Sequence, residues 1–177
     1  MKQRTRIFVG CEGASERSYV RWLQAAANQL GLAVHFDGVI AGGGDPLAVV
    51  QESLKALRVK ERMQGKFKFK AILLDSDKLG LTPGRDAQIA GLVRSVNAFL
   101  LYQEFDHEAI LLRHLHKCGN LRPPGGGDST VQLRKHWPSY IKPADALSLS
   151  KNITIRGFVQ MRGSEPSINE FFKQFWP

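Results

Sequence analysis

The sequence predicts an α/β protein with a mostly parallel central sheet of about four strands and helices on both faces. Short apolar runs of strand length recur along the chain, segments with apolar residues at helical spacing separate them, and glycines or prolines stand at many of the junctions. Strands that alternate with helices in this way form βαβ units, whose right-handed connections place helices on both faces of the sheet. The 177 residues suit one domain with a substantial core.

The first part of the chain contains two strand–helix pairs. The run "RIFV" predicts the first strand, and "GASERSYVRWLQAAANQLG" predicts a helix with Ser15 as its expected N-cap. The segment "LAVHFDGVIA" predicts the second strand, which three glycines follow. Asp45 followed by Pro46 is typical of an N-cap and the first residue of a helix, so a second helix is expected to begin there.

The next segments continue the alternation and then change in character. "FKAILLDSD" predicts the third strand, Pro83 the start of a third helix, "FLLYQ" a fourth strand, and "FDHEAILLRHLHKC" another helix. Beyond it, "GNLRPPGGGDST" predicts a mobile loop, followed by a helix around Val131–His136, a weak strand in "ITIRGFV" and an amphipathic stretch "SINEFFKQFW". We therefore expect a core of residues 1–118 and an extension of residues 119–177 packed on the same single domain.

The charge distribution suggests a polyanionic partner. The formal net charge is +9, and residues 55–70 contain seven basic side chains against one acid, while residues 113–142 contain six Lys or Arg, three His and one acid. Such stretches attract nucleic acid, either DNA or RNA, although a solvated helix face is an equally good explanation for one isolated patch. The candidate nucleic-acid-binding residues are Lys55, Arg58, Lys60, Arg62, Lys66 and Lys68.

The composition favours a cytoplasmic protein without membrane association. No run of eighteen apolar residues is present, and the apolar stretch near the N-terminus is too short for a secretion signal. The two cysteines, Cys11 and Cys118, lie far apart in sequence, so a disulfide framework is not expected. The oligomeric state is left open.

Acidic residues follow two of the predicted strands. Glu12 comes after the first strand, and Asp75 and Asp77 come after the third. In parallel sheets, ligands bind at the carboxyl ends of the strands, where these side chains fall. Two carboxylates this close repel each other unless a cation or a proton lies between them, and Mg²⁺ prefers carboxylate oxygens. We therefore expect a Mg²⁺ site, with Mn²⁺ as a substitute; the alternative is an exposed turn with a helix-capping aspartate.

These segments, taken in order, resemble a known family. "FVGCEGASERSYVRWL", "ILLDSDKLG" and "EFDHEAILLRH" are similar to the three motifs of the RloB-like family, a branch of the Toprim superfamily of metal-binding α/β modules. The likeness covers roughly residues 5–116, and "YIK" at 140–142 resembles a Tyr-x-Lys element of the family. His107 departs from the pattern, since an aromatic residue is usual there, and the C-terminal part is short.

The resemblance implies a Toprim-like fold and a set of site residues. Glu12 would act as a general acid/base or metal ligand, and Asp75 and Asp77 would hold Mg²⁺. Glu16 and Glu108 would form a second metal position, and developing charge would be neutralised by Lys142, Lys78 or Arg85. Apart from the resemblance, His114 is expected to be either a core residue or a side chain that orients Glu108. For Glu16, a first-turn acid favoured by the helix dipole is an equally good explanation.

The expected function is a Mg²⁺-dependent Toprim-type nuclease that acts on phosphodiester bonds of nucleic acid. By resemblance, it would belong to a bacterial defence or restriction-associated system and have a protein partner from the same operon. The alternative is a non-catalytic nucleic-acid-binding or complex-forming subunit that uses the same scaffold. A haloacid-dehalogenase-like phosphatase also has an apolar run followed by D-x-D, but on its first strand; here that motif follows the third predicted strand.

Overall fold

Four parallel strands form the central sheet of the computed structural model, which describes residues 3–124 and 127–177. Their order across the sheet is β2-β1-β3-β4. This arrangement confirms the predicted α/β class and the parallel sheet. The strands are β1 (Thr5–Cys11), β2 (Val34–Ile40), β3 (Phe69–Asp75) and β4 (Phe99–Gln103).

Helices cover both faces of this sheet. α2 and α3 pack on one face, while α1 and the helices from α4 onwards pack on the other. The C-terminal helices therefore share one core with the first strands. The helices are α1 (Ala14–Gln29), α2 (Pro46–Gln64), α3 (Pro83–Ser95), α4 (His107–His114), α5 (Gly127–His136), α6 (Ala146–Asn152), α7 (Ile155–Gly163) and α8 (Pro166–Phe172).

The central strands are apolar throughout because both of their faces are buried. In β3, Ala71 and Leu73 face the core that α1 and α4 cover, whereas Ile72 and Leu74 face α2 and α3. A strand buried on both sides has a continuous apolar run rather than an alternating one. At Gly10 of β1, α2 approaches so closely that an added Cβ would lie 2.3 Å from the Ser53 Oγ.

The connections create a crevice between β1 and β3. From β1 the chain passes through α1 to β2 on one side, and from β3 it passes through α3 to β4 on the other side. The two loops therefore leave adjacent strand ends in opposite directions. Such a point, where the strand order reverses, is where open α/β sheets bind ligands.

The C-terminal region differs from the sequence expectation. The strand predicted in "ITIRGFV" is wrong, because these residues form α7, whose N-cap Thr154 accepts a hydrogen bond from the Gly157 N–H at 3.0 Å. Gly157 also allows α7 to lie against the end of α4, where an added Cβ would be 2.2 Å from the His114 carbonyl oxygen. Ser15 lies inside α1, whose N-cap is Gly13.

Two further sequence expectations concern the region after α4. The expected loop has no regular secondary structure over residues 121–124, residues 125 and 126 lie outside the described part, and α5 begins at Gly127. In the described ranges 3–124 and 127–177, no helix is long and apolar enough to cross a membrane.

Candidate acidic site at the carboxyl ends of β1 and β3

Carboxylates from two adjacent strands meet at the crevice. Gly10 of β1 pairs with Ile72 of β3, so Glu12 and Asp75 follow at neighbouring strand ends. Burial and, after it, the negative charges of nearby acids together raise the pKa of Asp75 to about 8; the acids are Glu16, Glu12, Asp106 and Asp77. Each of these acids therefore influences the charge of Asp75.

Glu12 and Glu16 accept hydrogen bonds from separate backbone donors. The Gly44 N–H donates to Glu12 Oε1 at 3.3 Å, and the Gly13 N–H donates to Glu16 Oε2 at 2.9 Å. Burial, together with the charge of Glu16, raises the pKa of Glu12 despite its hydrogen bond. Asp77 is exposed. Asp77 lies in a turn over residues 77–80, so the turn of the alternative interpretation is present. Neither Asp75 nor Asp77 caps a helix, since α3 begins at Pro83 after Thr82.

The acids do not form a closed coordination shell. Within residues 3–124 and 127–177, no three His, Cys, Asp or Glu side chains lie together in a way that could hold a metal ion. Like charges favour separation, and each hydrogen-bonded acid is held toward its own donor. A cation at this crevice would therefore require the acidic side chains to move toward one another.

A buried amide, Gln103, holds Asp75, and a buried imidazole, His107, holds that amide; neither was predicted to be a site residue. The Gln103 Nε2 donates to Asp75 Oδ1 at 2.7 Å, and the Gln103 Oε1 lies 2.7 Å from His107 Nδ1. Because the amide oxygen can only accept, His107 must bear its proton on Nδ1. Gln103 and His107 are 0% and 1% exposed. The sequence does contain a sign of Gln103, which is a polar residue on the inward face of β4 in a mainly apolar run.

Glu108 is bound by two neighbours and is not a free ligand. It is 2% exposed, and its oxygens accept from the Tyr140 hydroxyl at 2.8 Å and from the Lys142 ammonium at 3.0 Å. Burial alone would raise the Glu108 pKa, but the bonds from Lys142 and Tyr140 lower it overall. Lys142 in turn faces the acidic group: burial opposes its charge, but Glu108, followed by Glu16 and Asp75, raises its pKa.

His114 is a core residue, the first of the two positions expected for it. Its Nε2 lies 2.8 Å from the Tyr19 hydroxyl, and its ring packs against Trp22 and Phe158. Burial lowers the pKa of His114 to about 3, so the ring is neutral. The hydrogen-bond partners of Glu108 are Tyr140 and Lys142, so His114 supports the core around α1 rather than orienting Glu108.

The later part of the basic stretch, with Lys66 and Lys68, lies away from the acids, whereas Lys55 lines a groove with Ile40 and Ala41 at the carboxyl end of β2. The Lys68 N–H bonds to the Arg6 carbonyl near the start of β1, at the opposite end of the sheet. Arg58 and Arg62 are exposed on α2. Three of the six candidate nucleic-acid-binding residues form ion pairs: Lys55 with Glu52, Lys60 with Asp37 and Lys66 with Glu61.

The second basic stretch is partly internal. Arg113 is fully buried, with its Nε 2.7 Å from Glu165 Oε1, and Arg122 pairs with Glu104 at 3.0 Å. These guanidinium groups stabilise the junction between α4 and the start of α8, so their charge is not available at the surface in the way the sequence suggested.

Comparison with protein-family models, with curated proteins and with solved structures finds no match to this chain. The fold and the crevice therefore define the molecule as a parallel α/β protein with an acidic group at its strand-order reversal.

Proposed function

We propose that the chain is a Mg²⁺-dependent Toprim-type nuclease, similar to the RloB-like family, that acts on phosphodiester bonds of DNA or RNA. One observation carries the proposal: Asp75 lies at the crevice among other acids, which together with burial raise its pKa to about 8. A divalent cation would remove this repulsion and favour the charged form of Asp75. The order of the three motifs along the chain is the second support.

The residues at the crevice fit such a cation in their chemistry. Asp75, Asp77 and Glu12 offer the oxygen ligands that Mg²⁺ or Mn²⁺ prefers, and Glu16 could contribute to a second position. Glu108 is omitted because Tyr140 and Lys142 occupy its oxygens. When bound, the metal would polarise the phosphoryl oxygens and lower the pKa of a water molecule.

The chain's own groups would then manage charge and protons. Lys142, which Glu108 holds beside the acids, would neutralise negative charge that develops on the phosphate. Glu12, whose pKa burial raises, would exchange a proton with the attacking water or the leaving group. The cytoplasmic location, the defence-associated role and an operon-encoded protein partner belong to this proposal through the motif resemblance alone.

Cleavage assays with matched variants test the proposal. Labelled DNA, RNA and transfer RNA are incubated with Mg²⁺, Mn²⁺ or EDTA, using the wild type, Glu12→Gln and Asp75→Asn. We expect metal-dependent cleavage by the wild type and a loss of roughly 10²-fold or more in both variants. Glu170→Gln, at an exposed surface acid, should cleave like the wild type. Cleavage that persists in EDTA would contradict the proposal.

Thermal denaturation tests metal binding without a substrate. Mg²⁺ at ten times its Kd should stabilise the wild type by roughly 1.4 kcal/mol through mass action. Asp75→Asn should respond much less. Without metal it should be at least as stable as the wild type, because asparagine is neutral and needs no proton uptake on folding, whereas buried Asp75 does. A wild type indifferent to both Mg²⁺ and Mn²⁺ would remove the metal site from the proposal.

The second candidate is a non-catalytic nucleic-acid-binding or complex-forming subunit. It is favoured by the separation of the acids, since within the described ranges they do not form a metal-binding group and three of them accept protein hydrogen bonds. This function predicts nucleic-acid binding that EDTA and Asp75→Asn leave unchanged, with no cleavage of any substrate.

A further inference from the structure

A pocket of about 650 Å³ lies directly beside the acidic crevice, on the α3 side of the sheet. It occupies the space between α3, the end of β4 and the start of α8. Ser76, which lies between Asp75 and Asp77, forms part of its wall. The remaining lining residues are Leu79, Asp86, Ile89, Tyr102, Glu104, Glu165, Pro166 and Ser167.

The walls of this pocket are apolar and aromatic. Leu79, Ile89 and Pro166 provide aliphatic surface, and Tyr102 presents an aromatic ring that is 38% exposed. The Tyr102 backbone is fixed, because its N–H donates to the Ser167 hydroxyl at 2.9 Å. A pocket of this size with an aromatic side chain at its wall suits a planar ring system.

The charged groups of the pocket are carboxylates, which accept hydrogen bonds and cannot donate when ionised. Asp86 already accepts from the Gly80 N–H and from Arg85, and Glu165 lies against Arg113. Glu104 is less engaged: its Oε2 pairs with Arg122 at 3.0 Å, and its side chain is 48% exposed. A ligand that contacts Glu104 must therefore offer hydrogen-bond donors, and two adjacent N–H groups match the two oxygens of a carboxylate.

We propose that this pocket binds a nucleobase, guanine before the others, of the strand whose phosphate lies at the acidic crevice. The inference rests on the proposed nuclease function for its choice of ligand. Guanine combines a planar ring with two adjacent N–H donors, which match a carboxylate. Asp86 and Glu104 would repel a phosphate, whereas the cation of the proposed function would hold it on the crevice side. Ser76 joins the two sites, because it lines the pocket between Asp75 and Asp77.

Nucleoside binding tests the pocket without phosphate, metal or cleavage. Isothermal titration with guanosine, adenosine, cytidine and uridine should give the tightest binding for guanosine. Uridine should bind most weakly, because its exposed edge presents a single N–H donor between two carbonyl acceptors. Tyr102→Ala should weaken guanosine binding about tenfold, in the range found for base–aromatic stacking. Glu104→Gln should reduce the preference for guanosine over adenosine. Leu147→Ala, at an exposed apolar residue of α6, should have no effect.

The outcomes separate this inference from the proposed function. Asp75→Asn should abolish cleavage and leave guanosine binding unchanged. Guanosine binding without cleavage of any substrate would contradict the proposed nuclease function and support the proposed nucleobase pocket. Metal-dependent cleavage without nucleoside binding, or with guanosine and uridine bound equally, would contradict the proposed nucleobase pocket and support the proposed nuclease function. Unchanged affinity in a folded Tyr102→Ala protein would also overturn the pocket.

Discussion

At the scale of single residues, Asp75 gives the protein a specific dependence of stability on pH. Burial and the neighbouring acids raise its pKa from 3.8 to about 8 in the folded state. The folded protein therefore retains a proton that the unfolded chain loses. The stability contributed by protonated Asp75 is complete below about pH 4 and declines as the pH rises toward 8.

This decline in stability with rising pH leads to a prediction for Asp75→Asn. An asparagine stays neutral, so the free energy of unfolding of the variant minus that of the wild type should increase with pH, by up to about 1.4 kcal/mol per pH unit. The difference is informative because Glu12 and Asp106 also have raised pKa values and remain in both proteins. Urea unfolding from pH 5 to 8 without metal measures it. A constant difference across that range would contradict the pKa assigned to Asp75.

Gln103 links the acid to the core of the molecule. Gln103→Leu removes a hydrogen bond to Asp75 and leaves the buried Nδ1–H of His107 without its acceptor. An unpaired buried polar group costs about 1–3 kcal/mol, so we expect a loss of that size in the free energy of unfolding. Gln51→Leu on the exposed surface of α2 is the matched control and should change stability by less than about 0.5 kcal/mol. Equal stabilities would show that the Gln103 bridge contributes little.

At the scale of elements, the position of α7 depends on one glycine. In Gly157→Ala, the new Cβ would lie 2.2 Å from the His114 carbonyl oxygen, a backbone atom that cannot rotate away. We expect a destabilisation of about 1–3 kcal/mol or more. Gly91→Ala in α3 meets nothing within 4 Å and should stabilise the protein by roughly 0.5–1 kcal/mol. Thermal denaturation of both variants compares the two effects, and equal shifts would disprove the close contact of α7 with α4.

The elements that were predicted correctly from the sequence are those that residues close together in the chain determine. β1, β3 and β4 are short apolar runs, and α2 begins at an N-cap aspartate followed by proline, so neighbouring residues determine them. α7 was mistaken for a strand because Ile153, Thr154 and Ile155 have β-branched side chains, which favour strands. The Thr154 cap and the contact of Gly157 with α4 decide the outcome, and that contact is distant in sequence.

The candidate site was predictable only in part for the same reason. The order of strands and acids indicates that Glu12 and Asp75 meet at one edge of the sheet, and they do. Partners that come from distant segments were not predictable. Gln103 reaches Asp75 across a strand pair, and Tyr140 reaches Glu108 from the C-terminal part of the chain.

At the scale of the whole molecule, the net charge of +9 is unevenly distributed around the sheet. The end of α2 and the start of β3 form a basic region at the amino ends of the strands, away from the acids. Arg17 and Arg21 of α1 instead line a groove of about 320 Å³ beside β2, together with His35. The charge of Arg17 acts on Cys11 at the end of β1, next to Glu12. A nucleic acid bound at the crevice would therefore lie closer to α1 than to the end of α2.

This placement yields the last prediction. Arg17→Gln combined with Arg21→Gln should weaken binding and cleavage of nucleic acid more than Lys66→Gln combined with Lys68→Gln, although both pairs remove two positive charges. If both arginines contact phosphates, the slope of log affinity against log salt should become about 1.5 to 2 less steep. Fluorescence anisotropy across a salt series measures the slope. Arg17 and Arg21 form no salt bridge within the described residues, whereas Lys66 already pairs with Glu61. Equal losses from the two pairs would mean that net charge alone governs binding, and a larger loss from the lysines would place the nucleic acid at the amino end of the sheet.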